Sequence, residues 1–178
     1  MDHASDAMLA LRAEYRQLDE SHQLQLADEN EPGLRLLLLG TLTSSETDEP
    51  LPYRRIQLYQ TDTTGSYNAS IPGQENTARL NGTVQTDSLG RFLISTVLPG
   101  GYGSGSPSFG TGHIHTSVEG AHPEAYDFYF QQGISRGLYR WARGTDQAVV
   151  LDLNVAENDT LMAEANLVVR GLATAEEP

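Results

Sequence analysis

The chain has 178 residues and a formal net charge of −13, and all eleven of its basic side chains are arginines. A chain this acidic lacks the basic footprint that nucleic-acid phosphates require, which excludes nucleic acid as a partner. It contains no cysteine, so thiolate metal sites, iron–sulfur clusters and thiol nucleophiles are excluded as well. The length fits one domain that buries its own core without disulfides.

No stretch of the sequence approaches the 18 or so consecutive apolar residues of a membrane span, and the longest apolar run is Leu36–Leu39. The first residues, "MDHASDAMLALRAEYRQ", lack a basic region followed by an apolar core, so they do not resemble a secretory signal. We therefore expect a cytoplasmic protein that does not associate with membranes.

Residues 1–32 are predicted to form an N-terminal helical segment and linker. Four apolar residues recur at a helical 3–4–3 spacing: Met8, Leu11, Tyr15 and Leu18. Ser5 or Asp6 can cap the first turn. The helix either packs on its own domain or is shared with a second subunit in a homodimer. The stretch "ADENEPG", residues 27–33, is typical of a linker.

Residues 33–172 are predicted to form a mostly β domain, and residues 173–178 a disordered tail. Seven short runs of β-type pattern are separated by Gly, Asp and Pro turns: "RLLLLGTLT", "RRIQLYQTD", "RFLISTVL", "HIHTSV", "YDFYF", "AVVLDLNV" and "LMAEANLVV". "AVVLDLNV" aligns Val149, Leu151, Leu153 and Val155 on one face of a single predicted strand. Short strands with such turns favour a β-sandwich or barrel.

Nucleotide binding has no support, because the chain lacks a phosphate-binding loop and a glycine fingerprint after a strand. The glycine-rich stretch "GGYGSGS", residues 100–106, carries no lysine and is interpreted as a loop. The stretch "GISRGLYRWARG", residues 133–144, combines arginines with aromatics. It is either a surface loop or the wall of a pocket in which Tyr139 or Trp141 stacks on an aromatic ring.

The chemistry of the chain centres on His113 and His115, which are separated by one residue in "HIH". In a strand, residues i and i+2 point to the same face, so both imidazoles can reach one metal ion, although a surface pair on a hairpin has the same pattern. Two histidines need further ligands. A carboxylate for a two-His-one-carboxylate site can come from Glu119, Glu124 or Asp127, and a phenolate favours ferric iron.

Three stretches together resemble the intradiol ring-cleavage dioxygenases, which include catechol 1,2- and protocatechuate 3,4-dioxygenases. They are "LYQTDTTGSYN", "RLNGTVQTDSLGRFLISTVLPGGY" and "HIH". The family pattern runs W-Q-x-D-x-x-G-x-Y, then R-G-x-x-x-T-D-x-x-G ending in P-x-x-Y, then R-P-x-H-[IL]-H. The match covers about the central third of the chain, in order and in spacing.

The resemblance implies a β-sandwich of the intradiol dioxygenase type with an N-terminal helix. It implies a mononuclear non-haem Fe(III) held by Tyr67, Tyr102, His113 and His115. In the family, the tyrosine that matches Tyr102 leaves the metal and accepts a substrate proton, so Tyr102 is also a catalytic candidate. Substrate and O2 then react with ring opening between the two hydroxyl-bearing carbons.

Two positions depart from the family pattern near the reacting carbon. The Arg that precedes the first histidine by three residues is replaced by Gly110, and a family Gln falls on Asp127. The resemblance makes Asp127 the second catalytic candidate, now with a carboxylate in place of a neutral amide. Arg79, Arg136, Arg140 or Arg143 could supply the charge missing at Gly110.

The first hypothesis is therefore an Fe(III)-dependent oxygenase acting with O2 on a catechol, hydroxyquinol or larger polyphenolic compound, in specialised aromatic metabolism. The second is a non-catalytic metal- or phenol-binding β-sandwich that retains the ligands. The third is a transthyretin-like or carbohydrate-binding sandwich without metal.

Overall fold

Two β-sheets form the body of the protein, and the computed structural model describes residues 1–101 and 112–172. The first sheet has six strands, in the spatial order β1 (Asp2–His3), β10 (Asn154–Val155), β11 (Leu161–Val169), β3 (Arg35–Ser44), β6 (Arg91–Val97) and β2 (Gln23–Gln25). The second has five, in the order β5 (Leu80–Gln85), β4 (Arg55–Gln60), β7 (Ile114–Val118), β8 (Ala125–Phe130) and β9 (Ala148–Leu151).

The core lies between the two sheets and is built from alternate residues of their strands. Leu36 and Leu38 of β3 point inward with Phe92 and Ile94 of β6, and all four are fully buried. The second sheet contributes Ile56, Leu58, Ile114, Val118 and Phe128 to the same cluster. Because the period-2 pattern buries one face of each sheet, the predicted mostly β sandwich is confirmed.

The two α-helices of the described chain are α1 (Asp6–Tyr15) and α2 (Arg136–Ala142). Short 3-10 turns cover Glu20–His22, Glu75–Thr77, Gln131–Gly133 and Glu157–Asp159. None of the helices in these described ranges has the length and hydropathy needed to cross a bilayer.

Helix α1 begins as the sequence predicts, because the Ser5 hydroxyl accepts a hydrogen bond from the Met8 amide at 3.2 Å. Its apolar stripe packs on the outer face of the first sheet, where Met8 and Tyr15 join Leu37, Leu39, Leu93 and Met162 in a second buried cluster. The Tyr15 hydroxyl donates to the Gly40 carbonyl at 3.1 Å. The helix thus packs on its own domain, and a homodimer through it stays a prediction.

The first 32 residues also contain two strands that the sequence did not predict. β1 pairs with β10 and β2 pairs with β6, both in parallel. Ala27, the first residue of the stretch interpreted as a linker, is buried in the main core together with Leu26 before it. These strands are two and three residues long, which is too short for an alternating pattern to be visible.

The prediction of one strand over "AVVLDLNV" is wrong. β9 ends at Leu151 and lies in the second sheet, whereas β10 begins at Asn154 and lies in the first. The Gln132 side chain holds the crossing, because its amide donates to Asp152 at 2.6 Å and accepts from the Leu153 amide at 3.1 Å. Leu151 and Leu153 remain buried on either side of the break, so the apolar alternation continues through it.

Residues 136–142 form a helix rather than the predicted loop. The Ser135 hydroxyl caps it by accepting from the Leu138 amide at 3.3 Å. Ala142 is buried, while Leu138 and Trp141 are exposed. A two-turn helix with an internal Gly137 carries too weak a periodicity to be seen in the sequence.

We expect Tyr15→Phe to lower the free energy of unfolding by about 1 kcal/mol, because it removes a buried hydrogen bond to the Gly40 carbonyl. Urea denaturation followed by circular dichroism measures the difference. Tyr53→Phe is the matched control, since Tyr53 is 60% exposed and should change stability by less than about 0.5 kcal/mol. Equal losses in the two variants would contradict a structural role for the Tyr15 hydroxyl.

Candidate metal centre

The strand β7 aims two imidazoles at the outer face of the second sheet. Ile114, Thr116 and Val118 are buried against the core. His113 and His115 therefore point away from it and are only partly buried. Their ring centroids lie 4.3 Å apart at an interplanar angle of 74°. The shared face that the H-x-H spacing predicts is thus present.

A turn stabilised by the Asp62 side chain places Tyr67 next to the two histidines. The Asp62 carboxylate accepts hydrogen bonds from the amides of Thr64 and Ser66 at 2.9 and 3.1 Å, and from the Asn68 side chain at 2.8 Å. Gly65 supplies the positive φ of +83° that the turn needs. Burial alone would raise the pKa of Asp62, but hydrogen bonds from the Thr64 hydroxyl and from the amides of Ser66 and Thr64 outweigh it and lower the pKa. The sequence carries a signal for this turn, namely an Asp two residues before a Thr and three before a Gly.

The backbone of Tyr67 is held from a second side by Arg79, whose amide donates to the Tyr67 carbonyl at 2.8 Å. The Arg79 guanidinium forms a bidentate pair with Glu31, with both N–O distances at 2.7 Å. The Glu31 side chain is only 7% exposed. Arg79 lowers the pKa of Glu31 chiefly through these hydrogen bonds, so the Arg79 guanidinium is engaged in its ion pair with Glu31.

Tyr67 and Asp127 contact His115 through different ring nitrogens. The Tyr67 hydroxyl lies 2.8 Å from Nε2, and the Asp127 Oδ1 lies 2.9 Å from Nδ1. A carboxylate accepts hydrogen bonds, so Nδ1 carries the proton and Nε2 keeps its lone pair on the side of Tyr67. Such a carboxylate–histidine pair is the usual way in which a metal-binding imidazole is oriented.

Asp127 also approaches His113, whose Nε2 lies 4.0 Å from the Asp127 Oδ2. Within the described ranges, His113, His115 and Asp127 form a group whose ligand atoms lie within 4.8 Å of one another. A two-His-one-carboxylate site would use Asp127 directly, but it would cost His115 the hydrogen bond at Nδ1. Glu119 and Glu124, the other carboxylates considered, are not part of this group.

Burial keeps His113 neutral. Its pKa is lowered to about 4, first because burial disfavours the imidazolium and second because His115 is close, and Asp127 opposes the shift. A neutral imidazole is the form that binds a metal.

The donor set fits a transition-metal ion. Two ligands about 2.0–2.1 Å from one ion, the bond lengths found at zinc, lie about 2.9 Å apart when they subtend a right angle. The 2.8 Å between the Tyr67 hydroxyl and the His115 Nε2 matches that separation. Phenol oxygen beside neutral imidazole nitrogen suits a hard ion such as ferric iron.

Aromatic rings surround the two histidines. Tyr59, which occupies the place of the family Trp, stacks on His115 at 4.5 Å between centroids. Tyr129 stacks on His113 at 4.9 Å, and its hydroxyl lies 3.3 Å from the Asp127 Oδ2. Sequence analysis did not single out Tyr129, although its alternation with Asp127 in "YDFYF" places both on one face of β8.

Tyr102 and Gly110 lie outside the described residues, so the ligand and catalytic roles of Tyr102 stay predictions. The residues that flank the segment are anchored beside the Asp62 turn. The Gly100 amide donates to the Asp62 carbonyl and the Gly112 amide to the Pro99 carbonyl, each at 2.9 Å. A side chain at Gly100 would begin 2.4 Å from the Thr63 carbonyl oxygen, so only glycine permits this approach.

Of the arginines considered as substitutes for the charge missing at Gly110, two have partners elsewhere. Arg79 pairs with Glu31, and Arg143 donates to the Tyr139 hydroxyl at 3.0 Å. Arg136 and Arg140 lie on α2 and are exposed.

Comparison with known proteins identifies relatives of the chain. The family model described as "Dioxygenase" matches residues 12–128. Catechol 1,2-dioxygenase from Acinetobacter baylyi is 30% identical over 81 residues, which are 44% of this chain and 26% of that enzyme. The chain thus spans about a quarter of the length of that relative.

Solved structures share the fold. The dioxygenase domain of a dioxygenase–carbohydrate-binding fusion protein from Streptomyces sp. SirexAA-E is 19% identical, with a TM-score of 0.61 over 85% of this chain and 88% of that one. The intradiol ring-cleavage dioxygenase from Tetranychus urticae is 19% identical, with a TM-score of 0.59 over 87% and 88%.

We expect Glu31→Gln to lower the free energy of unfolding by about 1–2 kcal/mol at neutral pH, less than for a fully buried pair because the Arg79 side chain is 46% exposed. The folded-state pKa of Glu31 is lowered, so its contribution is present above the unfolded pKa and is lost as the pH falls through the folded one. The difference between the variant and the wild type should therefore shrink on acidification in urea titrations.

The matched control for this pair is Asp146→Asn. Asp146 and Arg170 are also 2.7 Å apart, but their side chains are 57% and 59% exposed. This variant should lose less than about 0.5 kcal/mol. A loss for Glu31→Gln no larger than this, or one that persists unchanged in acid, would contradict the anchoring role of the pair.

Proposed function

Since the chain belongs to the intradiol dioxygenase family, we propose that it is a non-haem Fe(III)-dependent oxygenase that acts with O2 on a catechol, hydroxyquinol or larger polyphenolic substrate. The observation that carries the proposal is the convergence of the Tyr67 hydroxyl on the His115 Nε2 at 2.8 Å, with a neutral His113 beside them. A cytoplasmic location and a role in specialised aromatic metabolism belong to the same proposal.

The residues that would hold the iron are Tyr67, Tyr102, His113 and His115. The assignment of Tyr102 rests on the resemblance of "LPGGY" to the family pattern. Two phenolates and two neutral imidazoles leave one positive charge on a ferric site, which suits a chelating catecholate. When bound, ferric iron supplies Lewis acidity and draws electron density from the catecholate, so that the catecholate becomes reactive toward O2.

The side chains of this chain have separate tasks in the proposed reaction. Tyr102 accepts a proton from a substrate hydroxyl. Asp127 keeps the proton of His115 on Nδ1 and so presents Nε2. Tyr59 packs on the His115 ring and limits its rotation. In the overall reaction, both atoms of O2 enter the product as the bond between the two hydroxyl-bearing carbons breaks, which gives a dicarboxylic acid.

A second candidate function is a non-catalytic metal- or phenol-binding sandwich that retains the ligands. It is favoured by the departures at Gly110 and Asp127, because loss of a charged donor at a reacting centre can cost several kcal/mol of barrier. The two functions differ in O2 uptake: the oxygenase consumes O2 with a member of a phenol panel, and mass analysis of the product then finds two added oxygen atoms.

We expect the purified protein to bind Fe(III) and to show a visible tyrosinate-to-iron charge-transfer band. Tyr67→Phe and Tyr102→Phe should each weaken or shift that band, because each removes one phenolate from the metal. Tyr53→Phe, at an exposed position, should leave the spectrum unchanged. A colourless protein without iron by elemental analysis would overturn the proposal, and an unchanged spectrum in either ligand variant would refute that ligand.

We expect Asp127→Asn to weaken iron binding by about tenfold, at the lower end of what an altered partner of a metal-binding histidine costs. The amide keeps the shape and a hydrogen-bond acceptor but loses the charge beside His115. Competition with a chelator measures the affinity. Glu124→Gln is the matched control, since Glu124 immediately precedes β8 and lies outside the histidine group. Equal affinities for the two variants would exclude Asp127 as a positioning residue.

A further inference from the structure

A row of aromatic rings leads outward from His113. The first step is Tyr129, stacked on His113 at 4.9 Å and 27°. The second is Trp141 of α2, which meets Tyr129 edge to face at 6.1 Å and 85°. Tyr129 is 9% exposed, whereas Trp141 is 49% exposed. The row therefore begins at the candidate metal centre and ends at the protein surface.

The outer end of the row is an apolar surface on a firmly attached helix. Leu138 lies one turn before Trp141 and is also exposed, so the two side chains share a face of α2. The helix is held by the Ser135 cap and by the buried Ala142. A single exposed Leu needs no explanation, but a tryptophan in contact with a residue that stacks on His113 is in position to bind a ligand.

The charge around α2 differs from that of the whole chain. The net charge is −13, yet residues 133–144 contain three arginines and no acidic residue. An ionised phenol or carboxylate is therefore not repelled at this helix, although most of the protein surface repels anions. The contact of Trp141 that the structure gives is with the Tyr129 ring, which favours an aromatic ligand over a small anion.

We propose that Trp141 and Tyr129 form a subsite for a second aromatic ring of the substrate, next to the dihydroxylated ring at the histidine pair. Trp141 lies farther from His113 than Tyr129 does, by the width of one ring. A ligand that binds at the histidine pair must therefore contain more than one ring to reach Trp141. The substrate class is then a catechol with an attached aryl group, rather than a one-ring catechol. This inference rests on the proposed function for the position of the dihydroxylated ring.

The chain offers a direct readout, because Trp141 is its only tryptophan. Metal-free protein is titrated with 3,4-dihydroxybiphenyl and, separately, with catechol, while the fluorescence of Trp141 is recorded. N-acetyltryptophanamide in the same solutions corrects for absorption by the phenols. We expect saturable quenching by the biphenyl and none by catechol at equal concentration. Equal quenching by both compounds, or none by either, would overturn the subsite.

Steady-state kinetics of the iron-loaded protein give the second readout. Trp141→Leu should raise KM for 3,4-dihydroxybiphenyl about tenfold, equivalent to about 1.4 kcal/mol, and should change that for catechol by less than twofold. Tyr139→Leu is the control on the same helix, where two residues subtend about 200° and place Tyr139 on the other side. An equal effect of Trp141→Leu on both substrates, or an equal effect of both variants, would refute the inference. Loaded protein that consumes no O2 with any phenol would overturn the proposed function, and the fluorescence titration would still decide the subsite.

Discussion

The strand β7 packs one face against the core and presents the other to the candidate site. The arrangement of the rest of the site depends on this division. Its even-numbered residues are fully buried between the sheets, where Ile114 and Val118 pack with Ile56 and Phe128. Its odd-numbered residues therefore point outward by geometry alone. A shift of one residue in the pairing of β7 with β4 would bury both imidazoles and expose the core. The apolar core thereby fixes the orientation of His113 and His115.

His115 is the point at which the elements of the site meet. It receives Tyr67 from the Asp62 turn at one nitrogen, Asp127 from β8 at the other, and Tyr59 from β4 on its ring face. Three separate parts of the chain thus fix the position, tautomer and tilt of one ring. The Asp62 turn is in turn tied to Gly100 and lies close to the Arg79–Glu31 pair, so the support reaches from the sheet into the loops around it.

Much of this architecture could be predicted from the sequence, and the failures have physical causes. Six of the seven predicted strands are present as single strands, because alternate burial leaves a pattern in the residues themselves. The strands β1 and β2 and the helix α2 were missed because they are short and carry little periodicity. The strand β5 was also missed, because Asn81 and Gly82 interrupt its apolar alternation. The break between β9 and β10 was missed because Gln132, some 20 residues earlier, holds the crossing from outside the segment.

The residues of the candidate site likewise divide into those that the sequence predicts and those that only the structure reveals. The histidine pair follows from its H-x-H spacing, and the resemblance to the family pattern directs attention to Tyr67 and Asp127. Other features of the site depend on tertiary contacts between β7, β8 and α2. These features are the nitrogen of His115 that faces Asp127, and the row of Tyr129 and Trp141 that leads outward from His113. Local sequence contains no record of such contacts. A substitution that breaks the family pattern, such as Asp127, was therefore easier to find than the aromatic residues that surround it.

The position of the histidine pair on the outer face of the second sheet bears on how the protein matures. The interior between the sheets is closed by aliphatic and aromatic side chains without help from His113, His115 or Tyr67. Under the proposed function, folding and metal insertion are then separable events, unlike in a zinc finger, where the metal replaces a core. The polypeptide can then complete its β-sandwich before any ion binds. If the proposed function holds, the supply of active molecules then follows the availability of metal in the cell rather than the rate of folding.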